Sequence, residues 1–124
     1  MHLRLLASFL IALTFSTLAQ AADESPTAAL QSLVNQIKSK LQAGAETPEA
    51  LAPELARFDA LLEKHQSEKT DAVAEILIMK AMLYLQVFED ETTARTLLAQ
   101  LKSDFPATKP AAFVDRLIGE LDQA

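Results

Sequence analysis

Residues 75–88, EILIMKAMLYLQVF, form the stretch that decides the fold of this chain. Only Glu75, Lys80 and Gln86 interrupt a run that is otherwise apolar or aromatic. At about 100° of rotation per residue, apolar side chains then point in nearly every direction, which is typical of a helix buried on more than one side. The pattern predicts a central helix over residues 71–88, with neighbouring helices on at least two of its faces.

This predicted helix carries apolar side chains on two opposite faces. The first face holds Leu77, Ala81, Tyr84 and Phe88. The second face holds four further apolar residues, Ile76, Met79, Leu83 and Val87. The second set is the candidate partner surface, because helical-repeat pairs commonly bind a peptide or a helix along a groove. Since five helices can cover both faces, we expect cover within the chain, and partner binding is the functional alternative.

Helix start and stop signals surround the central segment. Ser25 is a good N-cap and Pro26 a good first helical residue, while Gly44 suits a left-handed helix end, so a first helix is predicted over residues 26–43. Apolar residues recur along this segment at helical spacing.

A second helix has the start signal Thr47-Pro48 and should end near His65. Pro53 lies more than a turn inside that segment, and proline both lacks an N–H group and clashes with the preceding turn. A start closer to Pro53, or a bend there, is therefore the alternative.

Two more helices complete the predicted fold. Asp90 is a suitable cap for a fourth helix that stops at Asp104, and Thr108 is a suitable cap for a fifth. No alternating strand pattern occurs in the sequence. We predict an all-α fold of about five antiparallel helices in a helical-repeat bundle.

The N-terminus has the three parts of a secretory signal peptide. Arg4 provides positive charge, residues 5–18 are uncharged and mostly apolar, and Ala19 and Ala21 are the small residues that signal peptidase requires. An uncleaved membrane anchor is the alternative, but a spanning helix needs about 20 apolar residues. We predict a signal peptide at residues 1–21, cleavage before Ala22, and a periplasmic or secreted helical domain over residues 22–124.

Charge and cysteine content exclude several classes of function. Without Arg4, the chain keeps 10 of its 11 basic residues against 17 acidic ones. Such a surface repels phosphate backbones and anionic headgroups, so we expect no nucleic-acid partner. We expect no stable membrane anchor after cleavage, because the second apolar stretch, residues 76–88, is too short to span a membrane and carries Lys80 and Gln86. The absence of cysteine excludes disulfides, thiol chemistry and cysteine-ligated metals.

The candidate chemical groups have simpler structural explanations. His65 suits the end of a helix, where its charge interacts with the helix dipole. The acidic run at residues 89–91 lacks the spacing of a calcium loop and is explained as a capped turn. Lys80 and Tyr84 could form an acid–base pair, but a core tyrosine and an extended lysine are expected on so apolar a helix. We predict no catalytic, cofactor-binding or metal-binding residue; a small-molecule pocket beside Tyr84 stays open as a possibility.

Residues 75–108 resemble a tetratricopeptide repeat, a 34-residue helix-turn-helix unit. With Pro106 placed on the terminal proline of the repeat, Ala94 falls on the small residue of its second helix and Leu98 on the large apolar position that follows. Met82 occupies a position that usually holds a small residue, so the unit is a degenerate one. The resemblance implies helix-hairpin stacking and protein binding.

Residues 50–118 are similar to a helical region found ahead of the redox domain in some exported thioredoxin-like proteins. The segments 78–85 and 101–109 carry this likeness. The Cys-x-x-Cys motif of that family is missing, so no redox residue can be transferred. The resemblance implies a companion or interaction role, or a fragment of a longer relative.

These features together predict a non-enzymatic exported helical module that works through protein or peptide contacts, with no cofactor and no metal. The alternative is a helical accessory module, or a fragment, that works with a thioredoxin-like thiol-disulfide oxidoreductase.

We expect N-terminal sequencing of the exported protein to begin at Ala22, because Ala19 and Ala21 satisfy the small-residue requirement of signal peptidase. A mature product that still contains residues 5–18 would instead show a membrane-anchored protein.

Overall fold

The computed structural model describes residues 25–123, and the predicted signal peptide with its cleavage site before Ala22 lies outside them. Within residues 25–123 the fold is all-helical, with five helices and no strand, as predicted. The five are α1 (Pro26–Gln42), α2 (Ala52–Lys64), α3 (Asp71–Gln86), α4 (Glu91–Asp104) and α5 (Lys109–Gln123).

Polar side chains hold the helix starts. The Ser25 hydroxyl accepts a hydrogen bond from the Ala28 N–H (3.1 Å), and the Asp90 carboxylate accepts one from the Thr93 N–H (3.1 Å). The Thr93 hydroxyl also donates to Asp90, and these two bonds lower the pKa of the Asp90 carboxyl below its ordinary value. Each cap satisfies an N–H group that the first turn leaves without a partner. The predicted caps Ser25 and Asp90 are thus confirmed.

The end of α1 has the geometry that Gly44 predicts. Gly44 has a φ of 94°, in the left-handed region that glycine adopts without strain. Its N–H donates to the Leu41 carbonyl, and the Ala45 N–H donates to the Lys40 carbonyl. This pair of bonds is a Schellman motif, which satisfies the last carbonyls of the helix.

Helix α2 begins at Ala52, later than the Thr47-Pro48 signal indicates. The Thr47 hydroxyl accepts from the Ala50 N–H (3.1 Å), but it caps a turn that precedes the helix. Pro53 is the physical reason, because a helix begun at Pro48 would bring the ring of Pro53 against a backbone carbonyl of the turn before it. As the second helical residue, Pro53 needs no N–H partner.

Helix α3 ends at Gln86, two residues short of the predicted end. The chain leaves the helix through Glu89, which has a positive φ of 54°. The Asp90 N–H then donates to the Tyr84 carbonyl (2.9 Å) and closes the turn. The acidic run at residues 89–91 therefore forms a tight turn that ends in the cap of α4.

The core consists of two clusters on opposite sides of α3. On one side, the buried residues Val73, Ala74, Leu77, Ile78 and Ala81 pack against α4 and α5, whose buried members include Leu98, Leu101 and Val114. On the other side, Ile76 and Leu83 pack against α1 and α2, whose buried members include Leu33, Ile37 and Phe58. Since α3 contacts all four other helices, its predicted central position is confirmed.

Side-chain hydrogen bonds and ion pairs show that the successive helices α1 and α2, and likewise α4 and α5, run in opposite directions. Glu54 in α2 contacts Lys40 in α1, and Arg57, further along α2, contacts Gln36 in α1. The residue numbers of the contacts therefore fall in α1 as they rise in α2. In α4, Arg95 pairs with Asp122 and Lys102 with Asp115, which is the same reversed order. Between residues 25 and 123, no helix is both long and apolar enough to cross a membrane.

Two glycine substitutions should change stability in opposite directions. Gly119 lies inside α5, where an added Cβ would meet nothing within 4 Å. We expect Gly119→Ala to raise the free energy of unfolding by about 0.5–1 kcal/mol, because alanine loses less backbone entropy in a helix. Gly44→Ala should lower it, because φ is 94° there.

Urea unfolding of the purified protein, followed by far-UV circular dichroism, measures both effects. A Gly44→Ala variant as stable as the parent would contradict the left-handed end of α1.

Candidate functional site: two apolar grooves beside α3

An apolar groove, here called the first groove, runs between α1 and α3. Its volume is about 230 Å³, and its polar lining residues are Lys38 and Gln86. The rest of the lining is apolar: Val34, Ile37, Leu41, Phe58, Met79, Met82, Leu83 and Val87. The first groove therefore offers apolar surface along the second half of α3.

A second groove runs between α3 and the start of α5. Its volume is about 340 Å³, and its charged lining residues are Glu75 and Lys109. Its apolar lining residues are Ile78, Met79, Met82, Pro110 and Phe113. Met79 and Met82 line both grooves, so the two form one continuous apolar surface across α3.

Two large apolar side chains are exposed at this surface. Met79 is 38% exposed and Phe113 is 41% exposed, and they are the exposed large hydrophobic residues of the part of the chain that the structure describes. Both line the second groove. Single exposed apolar residues are common on protein surfaces, but two that share one concave site are a sign of a binding surface.

Helical spacing in α3 produces this surface. Glu75, Met79, Met82 and Gln86 are separated by four, three and four residues, so they lie on one side of the helix. On this side Met82 is half-buried against the cluster shared with α4 and α5, whereas Met79 is left exposed at the surface. From Glu75 to Gln86 the helix rises about 16 Å, at about 1.5 Å per residue.

The predicted partner surface divides between core and surface. Ile76 is fully buried because α1 and α2 pack over it, so it is not available to a partner. Leu83 is buried by the same helices to 8% exposure and contributes only a small area to the first groove. Val87 is half-buried at the first groove, and Met79 is exposed. Cover within the chain, which we expected, therefore applies to Ile76 and Leu83 but not to Met79.

Sequence reasoning missed Met82 and Phe113. Helical spacing predicts Met82 among the apolar side chains that surround α3, and it predicts Phe113 in the apolar stripe of the fifth helix together with Val114 and Leu117. Met82 lies on the same side of α3 as Glu75, Met79 and Gln86. The polar residues at both ends of this row indicate a solvent-facing side, and this pattern could have identified Met82. Val114 and Leu117 form the buried stripe of α5. Phe113 lies beside that stripe rather than within it, and its side chain is therefore exposed.

Each groove has one lysine in its lining, Lys38 in the first groove and Lys109 in the second. Lys40, Lys80 and Arg95 each have a carboxylate oxygen within 3 Å. Among residues 25–123, Lys38 and Lys109 form no ion pair. The apolar surface thus has one unpaired ammonium group at each groove.

A buried polar cluster holds the α1 wall of the first groove. Glu54 is fully buried and accepts hydrogen bonds from Lys40 Nζ (2.9 Å) and Gln36 Nε2 (2.8 Å). Gln36 Oε1 in turn accepts from Arg57 Nη1 (2.6 Å). A buried carboxylate is costly unless it is paired and hydrogen-bonded, and here both conditions are met. The cluster links α1 to α2, and nothing in the sequence pattern pointed to it.

The other candidate chemical groups lie apart from the grooves. His65 is buried directly after α2, with its Nδ1 atom 2.7 Å from Glu68 Oε2. Lys80 donates to Asp59 (2.6 Å) and forms no pair with Tyr84. The Tyr84 ring packs edge-on against Phe88 at 5.0 Å and lines neither groove. Within residues 25–123, no group of three or more His, Cys, Asp or Glu side chains could hold a metal ion.

A third cavity, of about 400 Å³, is a polar cleft between the end of α2 and the end of α4. Its charged lining residues are Glu63, Lys69 and Asp104. The Lys69 ammonium lies 4.8 Å from the centre of the Phe105 ring, a cation–π contact. This contact gives Lys69 a structural role, and no ligand is needed to explain its position.

No protein-family model, no curated protein and no solved structure matches this chain. The resemblances to a tetratricopeptide repeat and to the helical region of exported thioredoxin-like proteins therefore stay predictions from the residue pattern. The support for a candidate site in this chain comes from the geometry and the charge of the two grooves.

Removal of Lys40, the cation that pairs with the buried carboxylate of Glu54, should destabilise the fold. We expect Lys40→Met to lower the free energy of unfolding by about 1–3 kcal/mol, because the Glu54 carboxylate would remain buried with one donor fewer. Lys40 is itself 37% exposed, so water replaces part of the lost interaction.

Lys38→Met is the matched control, two residues away in the same helix and without an ion pair in the described chain. Urea unfolding of both variants tests the difference, and equal stabilities would contradict a structural role for the cluster.

Proposed function

We propose that this domain is a non-enzymatic interaction module of an exported protein and that it binds a partner protein through the two grooves beside α3. The observation that carries the proposal is that Met79 and Phe113, the exposed large hydrophobic residues of the described chain, line the same groove. Water contact with such side chains costs free energy that a partner would recover, at about 25 cal/mol per Å² of apolar surface buried.

The chemistry of the surface suits a polypeptide partner. Methionine is unbranched and polarisable, so Met79 and Met82 can adapt to partners of different shape, as methionines do at other binding surfaces. The two grooves are open to solvent on one side, whereas small-molecule sites enclose most of the ligand surface. A net charge of −6 disfavours nucleic acid and anionic membranes as partners.

Site-specific cross-linking tests the proposal. A photo-reactive amino acid is placed at Phe113, at Met79, or at Thr96, an exposed residue of α4 that lines neither groove. We expect the Phe113 and Met79 positions to cross-link the same partner in an extract of the exported fraction. The Thr96 position should give no such product, and mass spectrometry identifies the partner.

Substitution provides the second half of the test. We expect Met79→Gln combined with Phe113→Gln to abolish capture of that partner, while far-UV circular dichroism stays unchanged; Thr96→Gln is the control. Capture that survives the double variant, or a photo-product from Thr96 alone, would overturn the proposal. A captured protein with a Cys-x-x-Cys motif would favour the accessory role beside a thiol-disulfide oxidoreductase.

A further inference from the structure

The methionines of the two grooves make this surface chemically sensitive to oxidants. We propose that Met79 is an oxidation site, and that its conversion to the sulfoxide by hydrogen peroxide weakens the binding of a partner to the grooves. This inference rests on the proposed function, because it concerns the regulation of the same surface.

The oxidisable sulfur atoms of residues 25–123 both lie at the grooves. The sequence contains no cysteine and three methionines, Met1, Met79 and Met82. Met1 is the first residue of the predicted signal peptide and lies outside the described residues. Met79 and Met82 each line both grooves. Within residues 25–123, an oxidant that attacks sulfur therefore acts at the candidate binding surface.

Exposure distinguishes the two methionines. Met79 is 38% exposed and belongs to neither core cluster. Met82 is half-buried against the cluster that α3 shares with α4 and α5. Because the sulfur must contact the oxidant directly, we expect Met79 to react before Met82.

The reaction adds one oxygen atom to the Met79 side chain. A lone pair of the thioether sulfur attacks one peroxide oxygen, so that an S–O bond forms and the O–O bond breaks. The sulfur loses two electrons, and the departing hydroxide takes the proton of the transferred hydroxyl group and leaves as water. Methionine sulfoxide reductases reverse the change, with two electrons from thiols and the oxygen released as water. Those thiols come from outside this chain, which has no cysteine.

The sulfoxide makes the apolar surface partly polar. Its oxygen accepts hydrogen bonds, which water supplies while Met79 is exposed. A partner that covers Met79 removes this water, and a polar group buried without a hydrogen bond costs free energy. The fold should remain intact, because Met79 belongs to neither core cluster. Oxidation is therefore expected to weaken partner binding in a domain that stays folded.

Peptide mapping of the purified protein during treatment with hydrogen peroxide tests the site. Trypsin cleaves after Lys80, so that Met79 lies in the peptide 70–80 and Met82 in the peptide 81–95. We expect the mass of one added oxygen atom to appear in the first peptide before the second, while far-UV circular dichroism stays unchanged. Equal rates, or earlier oxidation of Met82, would overturn the inference.

Hydrophobic-interaction chromatography of the same samples measures the change in the surface without a partner. Protein oxidised at Met79 should elute earlier than untreated protein. Met79→Leu keeps an apolar side chain of similar volume without sulfur, so peroxide should not shift its elution. Met82→Leu is the matched control and should show the shift of the parent protein. An equal shift in Met79→Leu would show that peroxide acts elsewhere, which contradicts the inference.

The partner identified by cross-linking tests the effect on binding. With the photo-reactive residue at Phe113, the protein is compared before peroxide, after peroxide has been removed, and after both methionine sulfoxide reductases have acted with dithiothreitol. We expect the affinity for that partner to fall about tenfold on oxidation and to recover after reduction. In Met79→Leu, the affinity should be the same before and after peroxide.

The outcomes separate this inference from the proposed function. If Met79 is oxidised and the affinity does not change, while Met79→Gln combined with Phe113→Gln abolishes capture, the inference is overturned and the proposed function stands. If untreated protein gives no product from Phe113, both fail. A loss of affinity that Met79→Leu shares with the parent protein would place the sensitive group outside Met79 and overturn the inference alone.

Discussion

Everything in this fold depends on the need to keep water away from α3, whose apolar side chains surround almost its whole circumference. Ile76 and Leu77 are adjacent in sequence, yet they enter different clusters on opposite sides of the helix. Burial of each such side chain contributes about 1.5–3 kcal/mol. One helix pair cannot cover both sides, so α1 with α2 and α4 with α5 pack as two separate layers.

The candidate site is what this arrangement leaves uncovered. Two helix pairs that approach α3 from opposite sides leave the line from Glu75 to Gln86 only partly covered, with Met79 exposed and Met82 half-buried between them. Polar links fix the walls on either side. Glu54 joins α2 to α1 through Lys40, and Asp71 joins α3 to the first residue of α5.

Local signals in the sequence predict the helices well because helix ends are decided by nearby hydrogen bonds. Ser25 and Asp90 cap neighbours three residues away, and Gly44 needs only its own backbone freedom. The start of α2 shows the limit of this reasoning, since Thr47 and Pro53 give competing signals and the backbone of proline decides between them. The early end of α3 depends on the turn at Glu89, a residue type that rarely adopts positive φ.

The sequence by itself determined the all-helical class, the number of helices and the central place of α3, because these follow from periodicity, caps and an unbroken apolar run. Only the tertiary structure decided which apolar residues remain at the surface. Helical periodicity describes the direction of a side chain from its own axis, and it does not say where a neighbouring helix lies. Ile76 and Met79 have equivalent sequence signals, yet α1 and α2 bury the first and leave the second exposed. The pairing of Glu54 with Lys40 has the same origin, since it joins residues of different helices that no local pattern relates.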